Sequence, residues 1–224
     1  MSRTDEEEVE QLKNLWQDYG KPVIAGVVIT LVAVFGYKAY KQNQYETSAA
    51  ASQLYQSLLD ASASAAQGQS LTEQQKSTVQ HVAETLKADY SGSRYAAYAM
   101  LQQARVQVQS NDLDGARASL QWVVDQNTNQ ETELLARTRL ARVMLGQSAD
   151  NAQAALDVLA AASSEAGFVA TIEAVRGDAL LAKGDRDSAR AAYQKALDAA
   201  QANGEARPLL QFKLDDLAVK TTEG

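Results

Sequence analysis

Three arginines, Arg137, Arg139 and Arg142, stand within six residues of one another in the stretch LARTRLARVML at 135–145. A guanidinium offers paired N–H donors in a plane that matches a carboxylate, so arginines lining a groove clamp a peptide carboxylate by bidentate bonds. Arg137, with Tyr98 and Arg105 upstream and Asp178 downstream, makes the candidate groove set. The competing reading pairs these arginines with Glu131 and Glu133 in a solvated face, and runs of mixed charge favour that reading. Reactive chemistry is otherwise sparse. Catalysis requires a nucleophile, a base or a metal set. The chain has no cysteine and one histidine, His81, among Val79, Val82 and Leu86 on a helical pattern. That setting suits a surface or hydrogen-bonded residue better than a base. Gly184-Asp185 lacks the further glycines and the Lys-Ser/Thr pair of a phosphate loop and reads as a turn. No enzymatic activity, metal or cofactor is expected.

Nothing in the charge balance invites a polyanion. The net charge is −7, from 28 acidic and 21 basic residues, which leaves no basic field for a nucleic-acid backbone. The absence of cysteine fits an oxidising compartment and a reducing one equally. The 224 residues suffice for one domain of ordinary size with appendages, and with only two prolines the chain is built of helix formers.

The elements that position the arginines repeat. Ala116, Ala152 and Ala189 stand 36 and 37 residues apart. Each follows an aspartate by two residues (Asp114, Asp150, Asp187) and precedes a large residue by four (Leu120, Leu156, Tyr193). Val123, Leu159 or Ala196 comes three residues later still. Self-similarity at this period marks stacked helix hairpins. In the last unit Gly184 suits the left-handed residue ending a first helix, and Asp185 or Asp187 caps the second. Asn111 takes the glycine position in the first unit, and Gly146 sits one place early in the second. Gly177 is expected to face Ala189 across the hairpin, with Tyr193 and Ala196 meeting the next element. Stretches 44–66 and 72–88, split by Gln67-Gly68-Gln69, read as a divergent further pair. Pro208 opens an apolar stripe, Leu210, Leu214 and Leu217, that reads as a terminal cap.

Ahead of the repeats, residues 22–37 read PVIAGVVITLVAVFGY, without a charge, between Lys21 and Lys38. Sixteen residues of helix span about 24 Å, close to the hydrocarbon thickness once the lysines snorkel outward. Trp16, Tyr19, Tyr37 and Tyr40 stand where interfacial aromatics are expected. A cleaved signal peptide fits poorly, because the acid-rich leader is long and no small-x-small site follows. A core helix of this length is the other reading; an uncleaved anchor is the one adopted. Pro22 is placed in the first helical turn. Gly26 and Thr30, with Ala33, form a small-residue face that would seat another helix. Arg3, Lys13 and Lys21 precede the segment and Lys38 and Lys41 follow it, too even a count to orient it.

The last unit resembles the tetratricopeptide repeat at Gly177, Gly184-Asp185, Ala189, Tyr193 and Ala196-Leu197. The chain as a whole resembles the YfgM-type ancillary subunits of the Sec translocon. LARTRLARVML (135–145), VRGDALLAKGDRDSARAAY (175–193) and the tail LLQFKLDDLA (209–218) carry that resemblance. It implies an all-α protein: an acidic cytoplasmic tail at 1–21, a single transmembrane helix at 22–40 and a tetratricopeptide-like periplasmic solenoid at 41–224. Repeats are expected at about 97–132, 133–169 and 170–203, with a capping helix at about 205–219. The implied partners are the SecYEG channel of the bacterial inner membrane, a PpiD-type membrane-anchored periplasmic chaperone and envelope client proteins. The implied role is assistance to newly translocated envelope proteins, with a link to envelope-stress signalling. A scaffold for another envelope assembly system is the alternative, because a repeat fold does not specify its partners.

Overall fold

A computed structural model describes residues 3–66, 69–126, 129–162 and 167–219. Among these residues the chain is helical and contains no strand. Helix α1 spans Arg3–Ala66, followed by α2 (Glu73–Asp89), α3 (Arg94–Gln109), α4 (Leu113–Gln126) and α5 (Gln130–Gln147). A 3-10 turn at Ala149–Asn151 leads into α6 (Ala152–Ala160), and α7 (Val169–Ala182), α8 (Arg186–Ala202) and α9 (Pro208–Val219) complete the order. The chain divides into two compact units, Met1–Ala50 and Ala51–Gly224.

In the first unit the apolar stretch lies inside α1, so Pro22 is not a first-turn residue as the sequence led us to expect. It sits within the helix, where its missing N–H leaves the carbonyl four residues earlier without a ladder partner. Gly20 is buried beneath the indole of Trp16, and a Cβ there would lie 3.2 Å from two ring carbons. From Lys21 to Ala49 every residue is exposed, and α1 contains a stretch long and apolar enough to cross a membrane. By length and composition that stretch is a candidate membrane span.

The second unit is a stack of helix hairpins. Helices α3 and α4, α5 and α6, and α7 and α8 pair as neighbours; the first helices α3, α5 and α7 also lie side by side. Close approach is possible because alanine dominates the contacts: Ala96, Ala97, Ala99, Ala116, Ala136, Ala141, Ala155 and Ala189 are all fully buried. Leu58, Leu86, Leu120, Leu134, Leu140 and Leu159 fill the space between these flat surfaces. Tyr55 lies against Tyr95 and Tyr98, with ring centroids 5.7 and 6.0 Å away. At the C-terminal end a smaller cluster joins Ala189, Tyr193 and Ala196 to Leu210, Leu214 and Leu217 of α9.

The turns follow from local chemistry. Asn111, Gly184 and Gly204 adopt φ of 61°, 85° and 72° after α3, α7 and α8. The residue after each returns its N–H to a carbonyl five residues back: Asp112 to Gln107, Asp185 to Leu180 and Glu205 to Ala200, at 2.8, 3.0 and 2.8 Å. This is the left-handed helix stop, which satisfies carbonyls the helix end leaves orphaned. The α5–α6 turn is built differently. Gly146 is not its left-handed residue but lies within α5. There Ser148, at φ −162°, accepts the Asp150 N–H, and Asn151 donates its side-chain amide to the Met144 carbonyl. Of the break expected at Gln67-Gly68-Gln69, the first two residues lie outside those described.

Candidate functional site

Helix α5 has neighbours on most of its sides, which fixes where its arginines go. It buries Leu134, Ala136, Thr138, Leu140, Ala141, Val143 and Met144 against α3, α4, α6 and α7. Positions 137, 139 and 142 are left for long polar side chains. Arg139 and Arg142, one turn apart on α5, join Arg105 of α3 around a cavity of about 340 Å3. Ala104, Val108, Leu120 and Val143 give it apolar walls, and Gln109 completes the lining.

Charge in this cavity is of one sign. The Arg139 guanidinium is held below the ordinary arginine range, first by burial and then by the like charges of Arg105 and Arg142. Arg142 is exposed by its solvent area, yet its guanidinium has given up enough water to be lowered too. Asp178 opposes that shift and Arg207 adds to it. Among the described residues no carboxylate pairs directly with Arg139 or Arg142.

The groove set named from sequence does not assemble in one place. Arg137 turns away from Arg139: its Nε donates to Glu133 at 2.7 Å, and Nη1 reaches the Val158 carbonyl of α6 at 3.4 Å. Both side chains of that pair are largely buried, so Arg137 staples the α5–α6 hairpin rather than facing a ligand. The cause is helical phase, since residues two apart project about 200° from each other. Tyr98 lines a different, polar cavity of about 840 Å3 with Arg94, Gln126, Asn129 and Glu131. Asp178 is engaged by Tyr193, whose hydroxyl donates to it at 2.6 Å, and by Lys213 of α9.

The repeat-packing residues meet in an unexpected pairing. Gly177 receives the ring of Tyr193 rather than Ala189: a Cβ at Gly177 would lie 2.5 Å from Cδ1 and 3.0 Å from Cζ of that ring. An aromatic four residues past Ala189 reaches back across the hairpin, and only a bare backbone accepts it. Burial, then the bond to Asp178 and its charge, pushes the Tyr193 hydroxyl above the ordinary phenol range. Lys213 sits 5.3 Å over the same ring. Sequence reasoning missed Lys213, Arg207 and the buried Glu173, which binds Arg176 and Lys195, each at 2.8 Å. The i,i+3 spacing of Glu173 and Arg176 was a legible signal; the reach of Lys213 from a separate helix was not.

His81 is exposed on α2, where its backbone carbonyl accepts the Thr85 hydroxyl. Among the described residues no three His, Asp or Glu side chains gather into a metal-binding group. In α1 the Thr30 hydroxyl donates to the Gly26 carbonyl at 2.8 Å, and a Cβ at Gly26 would meet nothing within 4 Å.

A family model described as a tetratricopeptide repeat-like domain matches residues 13–219, nearly the whole chain. The chain belongs to this tetratricopeptide repeat-like family. It is also similar, end to end, to proteins named "Ancillary SecYEG translocon subunit". That of Escherichia coli is 28% identical over 217 residues, covering 96% of this chain and 97% of the relative. That of Haemophilus influenzae is 27% identical, covering 86% and 88%. That of Neisseria gonorrhoeae is 26% identical, covering 95% and 97%. No solved structure matches the chain. The likeness to this group of subunits thus extends over 86% to 96% of the chain.

Proposed function

We propose that this protein is a non-enzymatic ancillary subunit of the Sec translocon, anchored in the inner membrane by 22–40. The observation that carries the reading is the 28% identity to a named translocon subunit over 217 residues, 96% of this chain and 97% of the relative. In this reading residues 1–21 are cytoplasmic and 41–224 form the periplasmic domain. Its repeats lie at about 97–132, 133–169 and 170–203, with α9 as the cap. The exposed anchor, with its small residues Gly26 and Thr30, docks beside the SecYEG channel, where close packing is the main source of helix affinity in lipid. The stacked hairpins present a surface suited to a partner domain or segment. That partner is a PpiD-type membrane-anchored chaperone or an emerging envelope protein, and the link to envelope stress follows from that position.

Affinity purification from membranes in mild detergent, followed by mass spectrometry, tests the reading. Recovery of channel subunits and of a periplasmic chaperone supports it. Recovery of a different envelope complex, without the channel, refutes it.

A further inference from the structure

Outside α1, three large apolar residues stand exposed among those described: Val108 at 44%, Leu209 at 66% and Phe212 at 68%. They mark two places of opposite charge. Val108 lines the cavity between α3 and α5, where Ala104, Leu120 and Val143 are the other apolar walls. Arg105 lines it too but is already engaged within the chain, which leaves Arg139 and Arg142 of α5 to meet an incoming acid. Leu209 and Phe212 lie one turn apart on the outer face of α9, whose Leu210, Leu214 and Leu217 hold it on the last hairpin. Asp215 and Asp216 follow one turn beyond Phe212, both exposed. Asp215 accepts the Gln211 amide and the Asp216 backbone carbonyl takes Arg186. No cation pairs with either carboxylate among the described residues.

We infer that the outer face of α9 docks into the α3–α5 cavity of a second copy of this chain, head to tail. The two surfaces are complements: an apolar hollow edged by two arginines, and an apolar ridge followed by two aspartates. Residues three apart rise about 4.5 Å along a helix, and that interval separates Phe212 from Asp215 as it does Arg139 from Arg142. Both surfaces are open in the same chain, so neither covers the other within it. One sequence carries both halves, which argues for a second copy over an unrelated partner. Burial of Leu209 and Phe212 supplies the apolar gain, and the paired charges set the register. Because the two halves differ, each pair leaves one α9 and one cavity open at its ends. Association then grows with concentration or closes into a ring rather than stopping at a two-fold dimer. It is independent of what the anchor meets in the membrane.

The test measures the mass of full-length protein in nonionic detergent by sedimentation equilibrium, up to about 100 μM. The wild type should exceed one chain per micelle increasingly with concentration, and less so at high salt. Asp215→Lys/Asp216→Lys and Arg139→Glu/Arg142→Glu should each weaken association about tenfold or more. An equimolar mixture of the two should associate again, because the first keeps a native cavity and the second a native α9. Phe212→Ser should weaken association with both charge sets intact. A wild type that stays single throughout, variants that associate like the wild type, or a mixture that stays single overturns the inference. Contact between two α9 helices would show as undiminished association of Arg139→Glu/Arg142→Glu, which overturns it too. Should that variant lose its helical circular dichroism, Arg142→Glu alone, at an exposed position, takes its place with the same expectations.

Discussion

The ring of Tyr193 occupies the space where Gly177 has no side chain, and its hydroxyl bonds the neighbouring Asp178 at 2.6 Å. One aromatic therefore fixes both the distance between α7 and α8 and, through Lys213 on Asp178, the seating of α9. Gly177→Leu should overpack this point and cost about 1–3 kcal/mol of stability. Tyr193→Phe keeps the ring and loses one bond to a carboxylate, a cost of about 1.5–3 kcal/mol. Urea unfolding of the full chain in detergent checks both. If neither change lowers the stability, the ring and the hydroxyl do not act as described.

Turn geometry separates two glycines that look alike in sequence. Gly184 sits at φ 85°, so Gly184→Val should cost about 1–2 kcal/mol for forcing a side chain into the left-handed region. Gly146 is helical and exposed, and a Cβ there would touch only Leu113 at 3.9 Å. Gly146→Ala should therefore leave stability unchanged or raise it by about 0.5–1 kcal/mol. Thermal melts by circular dichroism decide; a loss at Gly146 equal to that at Gly184 contradicts the turn assignment.

Glu173 is a buried carboxylate held by two cations of unequal exposure. Lys195 is mostly in water, so Lys195→Ala alone should cost under about 1 kcal/mol. Arg176→Ala with Lys195→Ala strands the charge and should cost about 3–5 kcal/mol. Adding Glu173→Gln to that double variant should recover part of the loss. Failure of that rescue means the carboxylate is not the source of the penalty.

Asp185 caps α8 by accepting the Ser188 N–H, and that bond, from Ser188 side chain and backbone, holds its carboxyl below the ordinary aspartate value of 3.8. A folded-state value below the unfolded one stabilises the fold above the unfolded value, and the gain is lost as pH falls through the folded one. Asp185→Asn keeps a capping acceptor without the titration. The variant's melting temperature should fall less steeply than the wild type's below about pH 4. Parallel curves contradict this.

What the sequence disclosed and withheld divides along physical lines. Local chemistry was legible: the left-handed stops at Asn111 and Gly184, the α8 cap at one of Asp185 and Asp187, and the apolar stretch of α1 depend on a few adjacent residues. Relations between helices were less so. The repeat frame placed Gly177 opposite Ala189, but the reach of a tyrosine ring decides what fills that gap. Charged side chains were misjudged for the same reason. Arg137 and Arg139 look equivalent in sequence, yet helical phase sends one to Glu133 and the other to the cavity with Arg105. Pro22 misled because a proline at the edge of an apolar run looks like a helix start, while α1 begins at Arg3.

The central claim is that α1 places the chain beside the Sec channel with the repeats on the far side of the membrane. A photo-crosslinking amino acid at Val27, exposed on the anchor, tests it in intact membranes. A cysteine at Gln17 and another at Gln211, in this cysteine-free chain, report the two sides through an impermeant thiol reagent. The account predicts adducts between Val27 and a channel subunit, with labelling from outside the inner membrane at Gln211 only. Adducts to lipid alone, or labelling at Gln17 from outside, would contradict it.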